Sequence, residues 1–248
     1  MQNIGRILII VALLVIGFIV GTVYTPWNGR LAKNDQPGTS LPLAVISLRE
    51  KTELYTIRAE YPDLRSLPNE FNQQIKYAIT QRIDEFKRNA AENWEARKAT
   101  DSVMVSASGP EIPYSMNIEW EPAQLNPSYI SFIVRFNAYE GGANERQELV
   151  TFNYDVAKRK VLALADLYPT DPNYLTNFSE TAKQQLSQTI EGEFAKEMLD
   201  AGIAPTIENF ANFTFTDDII IVYFPKYQVA PGAYGEQKMI MPRAETFE

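Results

Sequence analysis

One uncharged stretch constrains this chain more than any other feature. From Ile7 to Val23 no residue is ionisable, and nearly all are Ile, Leu, Val, Ala, Phe or Gly. A helix rises roughly 1.5 Å per residue, so Ile7 through Tyr24 would extend about 27 Å, close to the roughly 30 Å hydrocarbon core of a bilayer. A helix is also the only local structure that pairs its own backbone groups inside lipid. Tyr24 and Trp27 follow at the depth where amphipathic aromatics favour the headgroup layer, and Arg6 with the α-amino group keeps the N-terminus cytoplasmic. The expectation is a single-pass transmembrane anchor in residues 1–27, with the remaining chain outside the cytoplasm. A cleaved signal peptide is the competing interpretation. Such peptides usually have a shorter apolar core and a small-x-small cleavage site, which Gly21-Thr22-Val23-Tyr24 matches poorly. Either way the following domain is extracytoplasmic.

About 220 residues follow, enough for one substantial domain or two small ones. They hold 22 basic against 31 acidic residues, a net charge of −9. That disfavours nucleic acid and anionic lipid as partners and is compatible with a basic protein. There is no cysteine, so no disulfide or lipid-modified cysteine, and the domain must be held by its core. A bacterial envelope fits this better than animal secretion.

Residues 28–44 are rich in Gly, Pro and Asn without periodicity and predict a flexible tether. Tyr55, Ile57, Ala59 and Tyr61 then alternate with polar residues, the period of a half-buried strand. Phe71, Ile75, Ile79, Ile83 and Phe86 recur at helical spacing up to about Trp94. Two more alternating runs, 114–120 and 130–136, lead to a hairpin signal at Gly141-Gly142. A second round opens with Val150, Phe152 and Tyr154. Asp171-Pro172 predicts a helix start, and Leu175, Phe178, Ala182, Leu186, Ile190, Phe194 and Met198 one apolar helical face ending at Gly202 and Pro205. Ile219–Phe224 and Lys238–Met241 read as strands. The fold class expected is α+β, with long helices packed on antiparallel sheet after the anchor, divided into subdomains 45–147 and 148–248.

Several passages carry a family resemblance. Asp166-Leu167-Tyr168, the run Phe213 to Asp218, Tyr223-Phe224-Pro225 and the block Tyr227 to Gly235 resemble the C-terminal half of the extracytoplasmic part of the lysozyme-sensing anti-sigma factor RsiV. Tyr55 to Gly142 is similar to the domain preceding it there and to the N-terminal domain of the peptidoglycan deacetylase PdaC. The resemblance covers roughly Leu48 to Pro242 and implies an envelope domain that binds a lysozyme-like protein or a cell-wall component. Two departures limit it. Only Met1 to Arg6 precede the apolar run, too little to hold a sigma factor, so none is expected as a partner. The family's Gly-Gly-Ala-His is Gly141-Gly142-Ala143-Asn144 here, so any role of that histidine is absent or altered.

The whole sequence contains no histidine. With no cysteine either, Ser-His-Asp and Cys-His nucleophilic sites, the usual zinc sites and imidazole general bases are excluded. The metal-binding histidines of PdaC-like deacetylation therefore have no counterpart, and Phe215-Thr216-Asp217-Asp218 reads as a turn entering a strand. No phosphate-binding loop opens a helix. Paired carboxylates remain open to glycoside hydrolysis, through Glu119 and Glu121 flanking Trp120, or Glu140 and Glu145 bracketing the hairpin. A solvated strand face explains them as well. No catalytic residue, metal or cofactor is assigned. The binding candidates are Tyr227, Gln228, Pro231 and Tyr234, because tyrosine gives contact area at low entropic cost, helped by Gly141, Gly142 and Asn144 of the hairpin. A structural turn around Pro231-Gly232 is the alternative for the loop. The function expected is an anchored envelope binding module for a basic protein such as a lysozyme-type enzyme, or for peptidoglycan. A carboxylate glycosidase and a purely structural envelope protein are the alternatives.

Overall fold

The computed structural model describes residues 43–65, 67–100, 110 and 112–243. The expected anchor from Ile7 to Val23 and nearly all of the tether lie outside the described residues. Among the described residues no helix is long and apolar enough to cross a membrane.

The architecture is α+β. Six strands form one sheet in sequence order: β1 Ala44–Lys51, β2 Tyr55–Asp63, β3 Tyr114–Leu125, β4 Tyr129–Tyr139, β5 Arg146–Asp155 and the short β6 Lys160–Val161. All pairings are antiparallel except β2 with β3, so the sheet is mixed rather than antiparallel as expected. The cause is α1, Asn69–Thr100, which returns the chain to the end of the sheet from which β2 starts. Its 32 residues lay Phe71, Ile75, Ile79, Ile83, Phe86, Ala90 and Trp94 against the inner face of the sheet. Alternation supplies that inner face from Ile57 and Ala59, Met116 and Ile118, and Phe132, Val134 and Phe136. β1 was not expected from sequence, although Ile46 and Leu48 alternate with Ser47 and Arg49 and pack on this core.

The second half departs from the predicted repeat. β5 pairs with β4 within the first sheet, so the expected 147/148 boundary runs through a strand. The expected continuous helix is two helices, α2 Tyr174–Leu186 and α3 Glu193–Gly202. Gly192 separates them at φ +94, a conformation open mainly to glycine. The break shifts the helical phase: α3 buries Ala195 and Leu199, whereas Phe194, expected on the apolar face, is 67% exposed. The start of α2 also moves. Asp171 accepts from the backbone N–H of Asn173 and from Asn177 Nδ2, in a turn that precedes the helix. Both helices cover a three-stranded antiparallel sheet, β7 Phe213–Phe215, β8 Ile219–Phe224 and β9 Gln237–Pro242, around a second core.

The small sheet docks on the outer face of the large one at β4 and β5. Ile133 and Leu149 meet Tyr223 and Ile221 in an apolar seam. Beside it lies a buried polar chain. Ser131 Oγ donates to Asn153 Oδ1 at 2.7 Å and accepts from the Phe215 N–H at 2.9 Å, while Asn153 Nδ2 donates to the Phe213 carbonyl at 2.8 Å. The free edge of β7 is thus satisfied by side chains of the large sheet, since a buried unpaired N–H would be destabilising.

Candidate functional site

The loop between β8 and β9 is anchored before it is presented. Val229 and Ala230 are buried in the second core. Gln228 Nε2 donates to the Gly202 carbonyl at 2.9 Å and to the Asn209 carbonyl at 3.0 Å, tying the loop to the end of α3 and the turn after it. Pro231 leads into a single 3-10 turn, Gly232–Tyr234, closed by the Tyr234 N–H on the Pro231 carbonyl at 2.9 Å. The Tyr234 hydroxyl sits 3.3 Å from the Glu191 N–H and 3.4 Å from its carbonyl. Of the four loop candidates, Gln228 is therefore a structural tie, Pro231 a turn former, and the two tyrosines the groups left to meet a partner. Tyr227 is 60% exposed and Tyr234 37%.

Tyr227 also holds a left-handed backbone conformation, φ +74, which is uncommon for a bulky residue. Its ring lies on Gly232, where an added Cβ would stand 2.3 Å from a ring carbon. Lys226 Nζ lies over the same ring, 5.3 Å from its centroid. Glycine at 232 thus lets the tyrosine lie across the backbone of its own loop.

The hairpin candidates lie in the six-residue connection between β4 and β5. Gly141 adopts φ +87 with the Tyr114 ring close beside it, and Gly142 and Asn144 are exposed. Among the described residues no hydrogen bond or ion pair joins 141–144 to 227–235. Their stems do approach: Asn137 and Gln147 of the hairpin, with Pro225, Lys226 and Glu236 of the loop, surround a cleft of about 340 Å³. Arg135 clamps its wall, with Nη2 at 3.0 Å and Nε at 3.2 Å from the two carboxylate oxygens of Glu236. Those ion pairs hold the Arg135 guanidinium above its ordinary range despite the opposing effect of burial.

The carboxylate candidates are separated by their partners. Glu121 is paired with Arg135 Nη1 at 3.0 Å, whereas Glu119 is exposed. Glu140 is held by Arg146 Nη2 at 3.0 Å and by Asn89, while Glu145 is exposed. Arg146 gathers Glu85, Glu140 and Glu148 and locks the hairpin base to α1. Asp217 accepts from Gln124 Nε2 at 2.6 Å, and Thr216 Oγ1 accepts from the Asp218 and Ile219 N–H groups, so that segment is the turn between β7 and β8. Among the described residues no group of three or more acids could hold a metal ion. The hydrogen-bond role of Gln228 and the Arg135 clamp were missed in sequence, because both depend on contacts between distant segments.

Two family models match. Residues 48–145 match Deacetylase PdaC, and residues 165–244 match Protein of unknown function (DUF3298). The chain is 25% identical over 207 residues to the peptidoglycan-N-acetylmuramic acid deacetylase PdaC of Bacillus subtilis, a match spanning 80% of this chain but only 44% of that enzyme. It is also 25% identical over 187 residues to the immunogenic protein MPT64 of Mycobacterium tuberculosis, covering 74% of this chain and 71% of that protein. A DUF3298-family structure from Bacteroides fragilis shares the fold, with TM-score 0.56 at 19% identity over 82% of this chain and 92% of that one. One from Pseudomonas aeruginosa does so with TM-score 0.54 at 16% identity over 82% and 91%. The first matched segment spans β1 to β4 with α1, and the second spans α2, α3 and the small sheet, so the chain is similar to a PdaC-like domain in its first half and to a DUF3298 domain in its second.

Proposed function

We propose that this chain is a non-catalytic binding module, held outside a bacterial membrane by the apolar run Ile7–Val23, and that its β8–β9 loop receives a basic protein such as a lysozyme-type enzyme. The observation that carries the reading is the exposed Tyr227, kept at positive φ on a loop otherwise tied down by Gln228, Val229 and Ala230. Strained backbone persists where surrounding structure over-determines it, and such positions cluster at functional sites. A rigid aromatic presented this way loses little entropy on binding and suits a central anchor. The formal charge of −8 would speed encounter with a cationic partner.

The cell wall is the second ligand considered, supported by the peptidoglycan named in the Bacillus relative. The non-catalytic part rests on the lack of histidine and cysteine throughout the sequence. The test is titration of a lysozyme-type protein into the full chain in mild detergent. Tyr234→Ala is expected to weaken binding by on the order of 2 kcal/mol, roughly thirtyfold. Tyr227→Asn, which keeps the left-handed backbone accessible, is expected to weaken binding with little change in melting temperature. Absence of binding by the parent chain at tens of micromolar rejects the lysozyme reading.

A further inference from the structure

Arg49 and Arg58 lie directly opposite each other on the antiparallel strands β1 and β2. Like charges so placed are destabilising, by up to about 1 kcal/mol. Among the described residues neither guanidinium has an ion-pair partner, although the chain carries 31 acidic residues. Violations of a local rule of this kind are expected at functional or strained sites.

The pair begins a longer pattern. Register carries Arg58 to Asn117 on β3, Asn117 to Asn137 on β4, and Asn137 to Gln147 on β5. Paired residues project to the same face, so Arg49, Arg58, Asn117, Asn137 and Gln147 form one row across five strands. It lies on the outer face, since Ala59, Ile118, Phe136 and Ala138 beside these residues point into the core with α1. Four strand spacings of about 4.8 Å make the row about 19 Å long. None of the five side chains has a hydrogen-bond partner among the described residues. The arginine end and Asn117 line a cleft of about 480 Å³, and Asn137 and Gln147 line the cleft beneath the β8–β9 loop.

We propose that this row binds a linear acidic polyol polymer, with an oxyanion held between Arg49 and Arg58 and polyol hydroxyls along the amides. Two guanidinium forks facing each other fit a carboxylate or phosphate. Asparagine and glutamine amides donate and accept together, as hydroxyls require. Glu60 and Glu119, exposed two residues beyond Arg58 and Asn117 on the same face and in the first cleft, are further hydroxyl acceptors. An oxyanion is compatible with the acidic chain because charges beyond about 8 Å are screened at physiological salt, leaving the local pair to decide.

The full chain in mild detergent is titrated with polygalacturonate, poly(glycerol phosphate), neutral dextran and polyglutamate. Binding is expected for one or both acidic polyols, the tighter identifying the oxyanion, and to be much weaker for dextran and polyglutamate. Arg49→Gln with Arg58→Gln should weaken it at least about tenfold without lowering the melting temperature. Asn117→Ala with Asn137→Ala should weaken it several-fold, and Arg88→Gln, an exposed arginine on α1, should change nothing. Equal binding of polyglutamate, equal loss in Arg88→Gln, an undiminished arginine double variant, or no binding of either acidic polyol overturns the proposal.

Discussion

Gln228 shows how much one side chain can hold. Its amide serves two carbonyls at the ends of short helical segments, groups that have no helical partner of their own. Gln228→Ala leaves both carbonyls short of a donor and should lower stability by about 1–3 kcal/mol, read from denaturant melts of the full chain. Gly202 makes the same contact from the other side: an added Cβ would stand 2.2 Å from the Gln228 carbonyl oxygen, where only backbone could yield. Gly202→Ala should therefore be at least as damaging. Little of this was readable in sequence. The tyrosines, proline and glycines of 227–235 marked a loop of interest, yet nothing local distinguished Gln228 as a tie from Tyr227 as an exposed ring. That distinction is made by Gly202 and Asn209, which are distant in sequence.

At the scale of elements, apolar period was readable and phase breaks were not. α1 was legible because its apolar residues recur from Phe71 to Trp94, over about six turns, with no interruption. α2 and α3 read as one helix because Leu186, Ile190 and Phe194 keep the spacing through the connector, where Ile190 is buried without being helical. Gly192→Ala should cost about 1–3 kcal/mol from backbone conformation alone, as its site is open to a methyl group. Ser131 and Asn153 stand at the polar positions of alternating runs, yet they are the buried joint between the sheets. The edge strand β1 is secured differently. Burial by itself would raise the Glu50 carboxyl, but bonds from Lys87 Nζ and the Tyr55 hydroxyl, both 2.7 Å, outweigh it and hold the group below its ordinary 4.5. A carboxyl depressed in the fold contributes stability that is present above 4.5 and lost as pH falls through its lower folded value. Acidification from pH 5 should therefore weaken the native state, and Glu50→Gln should flatten that part of the stability profile in pH-dependent melts.

For the whole molecule, both proposed binding surfaces border the outer face of the large sheet. The small sheet covers β4, β5 and the Gln124 end of β3, and the β8–β9 loop overhangs the cleft beside Asn137 and Gln147, while β1, β2 and the start of β3 stay open. The α+β class and the family resemblance were legible because composition, apolar period and the Tyr227–Gly235 block all survive without long-range information. The mixed sheet was not, since strand order depends on the α1 crossover. If the module is non-catalytic, the full chain incubated with peptidoglycan should release neither reducing sugar nor acetate, with or without divalent metal. Steady release abolished by Glu119→Gln or Glu121→Gln would instead establish the carboxylate chemistry. The most direct test of the binding account is hydrogen exchange on the full chain with and without a lysozyme-type protein. The account predicts slowed exchange confined to 225–236 and the hairpin 137–147. Protection appearing on α1 instead, or none at saturating partner, would contradict it.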